Sequence, residues 1–73
     1  MVKILDQITF NNGKHVAVLC YDRIENTHKV EFYNCFDGFL ISIRLNQSEK
    51  ESLHHALLKD DLTGIRKIVG IKF

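Results

Sequence analysis

The chain has 73 residues, of which 45% are hydrophobic and 26% are charged, with 10 basic side chains against 9 acidic ones and a net charge of +1. This length fits a single domain over residues 1–73, and the composition excludes a disordered or collagen-like chain. The balanced charge gives no electrostatic attraction toward nucleic acid or an anionic membrane.

The N-terminus and the cysteines indicate the compartment. Residues 1–3 lack the apolar core of a signal peptide, and no uncharged apolar run is long enough to cross a bilayer. We therefore expect a cytoplasmic protein without a membrane partner. Cys20 and Cys35 have neither the spacing of a disulfide framework nor a CxxC pair, so we expect two free thiols.

The first two predicted strands cover residues 2–10 and 14–21 and flank an Asn-Gly pair, which is typical of a tight hairpin turn. A two-residue turn would place Phe10 opposite His15, and a three-residue turn would place Phe10 opposite Lys14. The sequence leaves both registers open. The second strand is apolar on both faces, which is typical of a strand inside a sheet.

Two further strands follow. A polar loop over residues 23–29 leads to a third strand at residues 30–35. Asp37 and Gly38 predict a turn into a fourth strand at residues 39–45.

A two-residue turn at this point would set the register of the third and fourth strands. Phe32 would lie opposite Ile43 on an apolar face. Glu31 would lie opposite Arg44 on the other face and form a cross-strand ion pair with it.

The helical period begins after the fourth strand. Ser48 and Glu51 fit a capping box, which predicts a helix that starts at Glu49 and ends between Lys59 and Leu62. One apolar stripe runs along this helix through Leu53, Ala56 and Leu57.

The remainder of the chain predicts a fifth strand. Gly64 supplies a helix stop, and residues 65–73 alternate between apolar and polar side chains. The predicted order is β-β-β-β-α-β. This is an α+β domain with an antiparallel β-meander of four strands, one helix packed on one face of the sheet, and a final strand.

One short helix covers only part of a sheet this wide, so the second face would be exposed in a monomer. The apolar and aromatic candidates for that face are Ala17, Leu19, Tyr21, Tyr33 and Leu40. We therefore expect a homodimer, formed by sheet packing or by edge pairing through residues 65–73.

No pattern of catalytic, metal-binding or cofactor-binding residues is evident. His54 and His55 are adjacent in the predicted helix, so their rings point about 100° apart and do not converge on one ion. The carboxylates form no spaced acid and base pair, and no phosphate loop or nucleophile elbow occurs. We expect a protein that is not an enzyme and that has no catalytic residues, metal or cofactor.

A domain this small usually acts by presenting its surface to a macromolecular partner. We expect a non-catalytic protein-binding module, an accessory or inhibitory protein of a class that includes many proteins of phages and other mobile elements. The side chains expected to contact the partner protein are Tyr21, Arg23, Tyr33, Arg44, His54 and His55.

The alternative is a protein that binds single-stranded nucleic acid, because aromatic side chains on a small sheet can stack on bases. Tyr21, Tyr33 and Arg44 would form that platform. Residues 43–46, followed by Glu49 and Leu53, resemble the strand-to-helix junction of the single-stranded DNA-binding coactivators, which also place four strands before a helix. The resemblance covers about a dozen residues and assigns no functional side chain.

Overall fold

Four strands precede two helices in the computed structural model, which describes residues 2–36 and 38–70. The elements are β1 (Val2–Phe10), β2 (His15–Asp22), β3 (Thr27–Asn34), β4 (Gly38–Leu45), α1 (Gln47–Leu58) and α2 (Leu62–Val69). The sheet is antiparallel in the order β1-β2-β3-β4. The α+β class and the four-stranded meander are confirmed. Neither of these helices has the length and apolarity that a membrane span requires.

A tight turn joins β1 and β2. The Lys14 amide donates to the Asn11 carbonyl at 3.1 Å. The Asn-Gly pair between them has φ values of 55° and 79°, in the left-handed region that this turn requires. Phe10 lies opposite His15. The register of β1 with β2 is therefore the one predicted for a two-residue turn.

The register of β3 with β4 differs from the predicted one by two positions. Glu31 lies opposite Ser42 rather than Arg44, and Phe32 lies opposite Ile41. A displacement of two keeps each side chain on its predicted face. The cross-strand ion pair predicted for Glu31, however, does not form.

The turn between β3 and β4 explains this displacement. β3 ends at Asn34 and β4 begins at Gly38, and the Asn34 side-chain oxygen accepts a hydrogen bond from the Phe36 amide at 2.8 Å. This turn, closed by an Asn side chain, reverses the chain earlier than the predicted two-residue turn. Leu40 then stands opposite no β3 residue and forms a bulge.

Helix α1 begins two residues before the predicted start, so the predicted capping box is wrong. Asn46 is the N-cap, and its side-chain oxygen accepts from the Glu49 amide at 2.7 Å. The Glu49 carboxylate accepts from the Asn46 amide at 3.0 Å, which completes the box. The same four-residue spacing occurs at Ser48 and Glu51, but the extended backbone of Asn46 puts the cap at the earlier position.

We expect Asn46→Ala to lower the free energy of unfolding by about 1 kcal/mol, because the Glu49 amide loses its acceptor. Ser48→Ala lies within α1 and removes no cap, so a change below about 0.5 kcal/mol is expected. Urea denaturation of both variants measures the difference. If Ser48→Ala lowered the free energy of unfolding more than Asn46→Ala does, the result would instead support the predicted capping box of Ser48 and Glu51.

Helix α2 occupies residues that the sequence analysis placed in a fifth strand, so that strand is wrong over residues 65–69. Residues 71–73 lie outside the described part of the chain. Gly64 does not stop a helix. Its amide donates to the Asp61 side chain at 3.1 Å, and Asp61 is the N-cap of α2. Ile65 and Val69 are four residues apart, so they fit a strand face and a helix face equally.

Helix α1 packs on one face of the sheet, and α2 packs against α1 on the same side, with Ile65 in the shared core. The buried side chains between the layers are Phe10, Ala17, Leu19, Val30, Phe32, Leu45, Leu53, Ala56, Leu57 and Ile65. Ala17 and Leu19 are 0% and 1% exposed, which corrects their predicted place on an exposed face. They lie opposite Phe32 and Val30. Since β2 is apolar on both sides, its own pattern could not show which side meets the helices.

Candidate functional site

The sheet face opposite the helices has no covering element in the described residues, and we call it the open face. The pairing register assigns to it the side chains of Ile4 and Gln7 from β1, Val16, Val18 and Cys20 from β2, Lys29, Glu31 and Tyr33 from β3, and Phe39, Ser42 and Arg44 from β4. β2 and β3 are the inner strands. Their side chains therefore occupy the centre of the open face.

A depression of about 340 Å³ lies on the open face. It is lined by Ile4, Gln7, Val16, Val18, Glu31 and Tyr33. Phe39 packs edge-on against Tyr33, with 5.6 Å between the ring centroids, and is 55% exposed. The depression therefore combines three aliphatic side chains, the half-buried Tyr33 and two polar side chains, of which Glu31 is acidic, and the exposed Phe39 lies beside it.

Within the described residues, the groups that donate hydrogen bonds to the Glu31 carboxylate are neutral. The Tyr33 hydroxyl donates to its Oε1 atom at 3.3 Å, and the Cys20 thiol lies 3.9 Å from the same atom. Within residues 2–36 and 38–70, no ion pair includes Glu31. Its charge therefore has no cationic partner within the described chain.

The basic side chains nearest in register to Glu31 are paired elsewhere. The Lys29 ammonium lies 3.2 Å from both Asp22 and Glu25. Arg44 lies opposite Lys29, and its guanidinium donates to Glu25 at 3.1 Å. Glu25, in the turn between β2 and β3, thus holds both cations at one end of the sheet.

Hydrogen bonds and charge shift the pKa values within this ionic cluster. The Glu25 amide and then the Lys29 ammonium lower the pKa of Asp22 by hydrogen bonding to its carboxylate. The Asp22 and Glu25 carboxylates raise the pKa of Lys29 in return. The Asp22 carboxylate and the Lys29 ammonium both stay charged at neutral pH, so their ion pair persists there.

Burial raises the pKa of the Cys20 thiol, and the Glu31 carboxylate raises it further. The Tyr33 hydroxyl behaves in the same way, with burial as the first cause of its raised pKa and Glu31 as the second. A thiol in this environment stays protonated at neutral pH, whereas a nucleophilic cysteine needs a lowered pKa. Cys20 acts here as a packed side chain and a weak donor to Glu31.

Only two of the six predicted contact residues, Tyr33 and Arg44, share the open face. Tyr21 alternates with Leu19 along β2 and so lies on the helix side, where its hydroxyl bonds to the Asn26 side chain. The other three are Arg23, exposed in the turn after β2, and His54 and His55 on α1.

His54 has a structural contact. Its Nε2 atom lies 2.8 Å from the Asp6 carboxylate and ties α1 to β1. This hydrogen bond is the main cause that lowers the pKa of Asp6, and the Gln7 amide adds to it. His55 is exposed on the same helix. Within the described residues no group of three His, Cys, Asp or Glu side chains is placed to hold a metal ion.

Of the residues that line the depression, only Tyr33 was predicted from the sequence as a contact residue. One signal was present in the sequence. Glu31 and Tyr33 alternate with Val30 and Phe32, which places the two pairs on opposite faces of β3. Val16 and Val18, the β2 residues that line the depression, could be identified only from the pairing of β2 with its neighbouring strands.

Comparison with models of protein families, with curated proteins and with solved structures finds no match to this chain.

Proposed function

We propose that this chain is a small, non-catalytic protein-binding module, an accessory or inhibitory protein that contacts another protein through the open face. The observation that carries the proposal is the depression on that face, with its aliphatic side chains and with the exposed Phe39 packed against Tyr33 beside it. Protein interfaces combine an apolar centre, rich in aromatic side chains, with a polar rim. Val16, Val18 and Tyr33 supply the centre. Lys29 and Arg44 supply part of the rim.

The area of the open face suits a small protein interface. Four strands about 4.8 Å apart, each of about eight residues rising about 3.3 Å, span roughly 500 Å². A standard interface buries about 800 Å² per partner, so the open face alone supports a transient contact. The exposed side chain of Leu40, at the bulge in the edge strand β4, would extend that area.

The charged side chains of the open face favour a protein as the binding partner over single-stranded nucleic acid. Glu31 carries a negative charge in the depression, where a phosphate backbone would be repelled. Lys29 and Arg44, which would have to hold phosphates, already face carboxylates. Tyr21 lies on the helix side, so the aromatic platform is reduced to Tyr33 and Phe39.

A second copy of the chain is the competing occupant of this face. Residues 65–69 are helical, so they do not form the edge strand through which a dimer was expected to pair. Packing of two open faces would form the expected homodimer instead. Sedimentation equilibrium at micromolar concentration distinguishes the two occupants, since a separate partner requires a monomeric mass for the isolated chain.

The test uses two matched tyrosine variants as immobilised bait in a nuclease-treated lysate of the organism that encodes the chain. Tyr33→Ala removes a ring from the open face, and Tyr21→Ala removes a ring from the helix side. We expect one protein to be retained by the wild type and by Tyr21→Ala, with at least about tenfold weaker binding to Tyr33→Ala.

Equal retention of that protein by both variants would contradict the proposal. A protein that is retained from an untreated lysate but not from the nuclease-treated lysate would favour the nucleic-acid alternative. Circular dichroism of each bait checks that a lost interaction does not reflect unfolding.

A further inference from the structure

The charge at Glu31 restricts what can cover the open face. A partner that packs on the depression removes water from this carboxylate, and an unpaired carboxylate is costly to desolvate. The Tyr33 hydroxyl and the Cys20 thiol are neutral donors and do not balance the charge. A partner with an apolar or acidic side chain at this position is therefore disfavoured.

The register places no cation directly opposite Glu31 on either neighbouring strand. Ser42, a neutral residue, lies directly opposite it, and Arg44 lies opposite Lys29. Both of these cations are held by Glu25 at 3.1 to 3.2 Å. Moving either one toward Glu31 would break an ion pair that already exists.

We infer that the depression receives a basic side chain, lysine or arginine, that a separate partner protein presents to Glu31. This inference rests on the proposed function and specifies the chemistry of the partner. The aliphatic stem of a basic side chain packs on apolar surface while its charged end pairs with a carboxylate. Val16 and Val18 provide that surface, and the side chain of Tyr33 lines the depression with them.

The direct test titrates the ¹⁵N-labelled protein with N-acetylarginine amide at low ionic strength and follows the backbone amides by NMR. N-acetylcitrulline amide, which has nearly the same shape and no charge, is the matched ligand. We expect saturable shifts at Val18, Glu31 and Tyr33 with the arginine derivative, and at least about fivefold weaker binding of the citrulline derivative.

Two variants locate the charge that is responsible. Glu31→Gln keeps the shape of the side chain and should weaken binding of the arginine derivative at least about fivefold. Glu51→Gln makes the same change on α1, where Glu51 accepts a hydrogen bond from Gln47, and should leave binding unchanged. Equal affinity of Glu31→Gln and the wild type, equal binding of the two ligands, or saturable shifts only outside the open face would overturn the inference.

The lysate experiment separates this inference from the proposed function. If the Tyr33→Ala bait fails to retain a partner that the Glu31→Gln bait retains, the inferred pairing of a basic side chain with Glu31 is overturned. The proposed protein-binding function is then still supported. If no bait retains a protein, the proposed function fails, while the titration still reports on the depression. A dimer of the wild type that dissociates in Glu31→Gln would make a second copy the source of the cation and overturn the assignment to a separate partner.

Discussion

Leu53→Ala is expected to lower the free energy of unfolding by about 2–5 kcal/mol. Leu53 is 0% exposed and belongs to the buried cluster between α1 and the sheet. Its truncation removes apolar contacts and leaves a cavity that the surrounding layers fill only in part. For a domain of this size, the corresponding fall in the melting temperature is about 10 °C or more.

Leu58→Ala is the matched control on the same helix. Leu58 is 64% exposed, so we expect a change within about 0.5 kcal/mol. Urea denaturation of the wild type and the two variants gives the comparison. A loss below about 1 kcal/mol in Leu53→Ala would mean that α1 does not pack on the sheet through this stripe.

The strands and α1 were predictable because their signals are local. The Asn-Gly pair specifies a tight turn, and the spacing of Leu53, Ala56 and Leu57 specifies one helix face. Helix α2 was not predictable from the same signals, since Ile65 and Val69 fit a strand and a helix alike. Packing against α1 and the Asp61 cap select the helix.

The pairing register could not be read from the strands alone. It depends on the side chain of Asn34, whose hydrogen bond to the Phe36 amide starts the turn, and on the bulge at Leu40. The first belongs to the turn and the second to the start of β4, and a rule based on a two-residue turn includes neither of them.

This register also decides the chemistry of the open face. The predicted pairing would have neutralised Glu31 with Arg44, and the depression would then have contained a closed ion pair. In the structure Ser42 stands opposite Glu31. A displacement of two residues therefore converts a surface ion pair into an acidic side chain that is available to a partner.

Ile65→Ala tests the element that the sequence analysis assigned wrongly, and we expect it to cost about 2–5 kcal/mol. Ile65 is 0% exposed and joins the core between the helices and the sheet. Its loss therefore weakens the attachment of α2. Urea denaturation measures the change, with Lys67→Ala as the control on the exposed side of α2.

Ile68→Ala distinguishes the helix from the predicted strand. In the strand pattern Ile68 shares a face with Arg66, so its truncation would cost little. In α2 it is half-buried and packs against the core beside Ile65, and we expect a loss of about 1–2 kcal/mol. A neutral Ile68→Ala together with a neutral Ile65→Ala would contradict the packing of α2, because no arrangement that buries this helix face leaves both side chains dispensable.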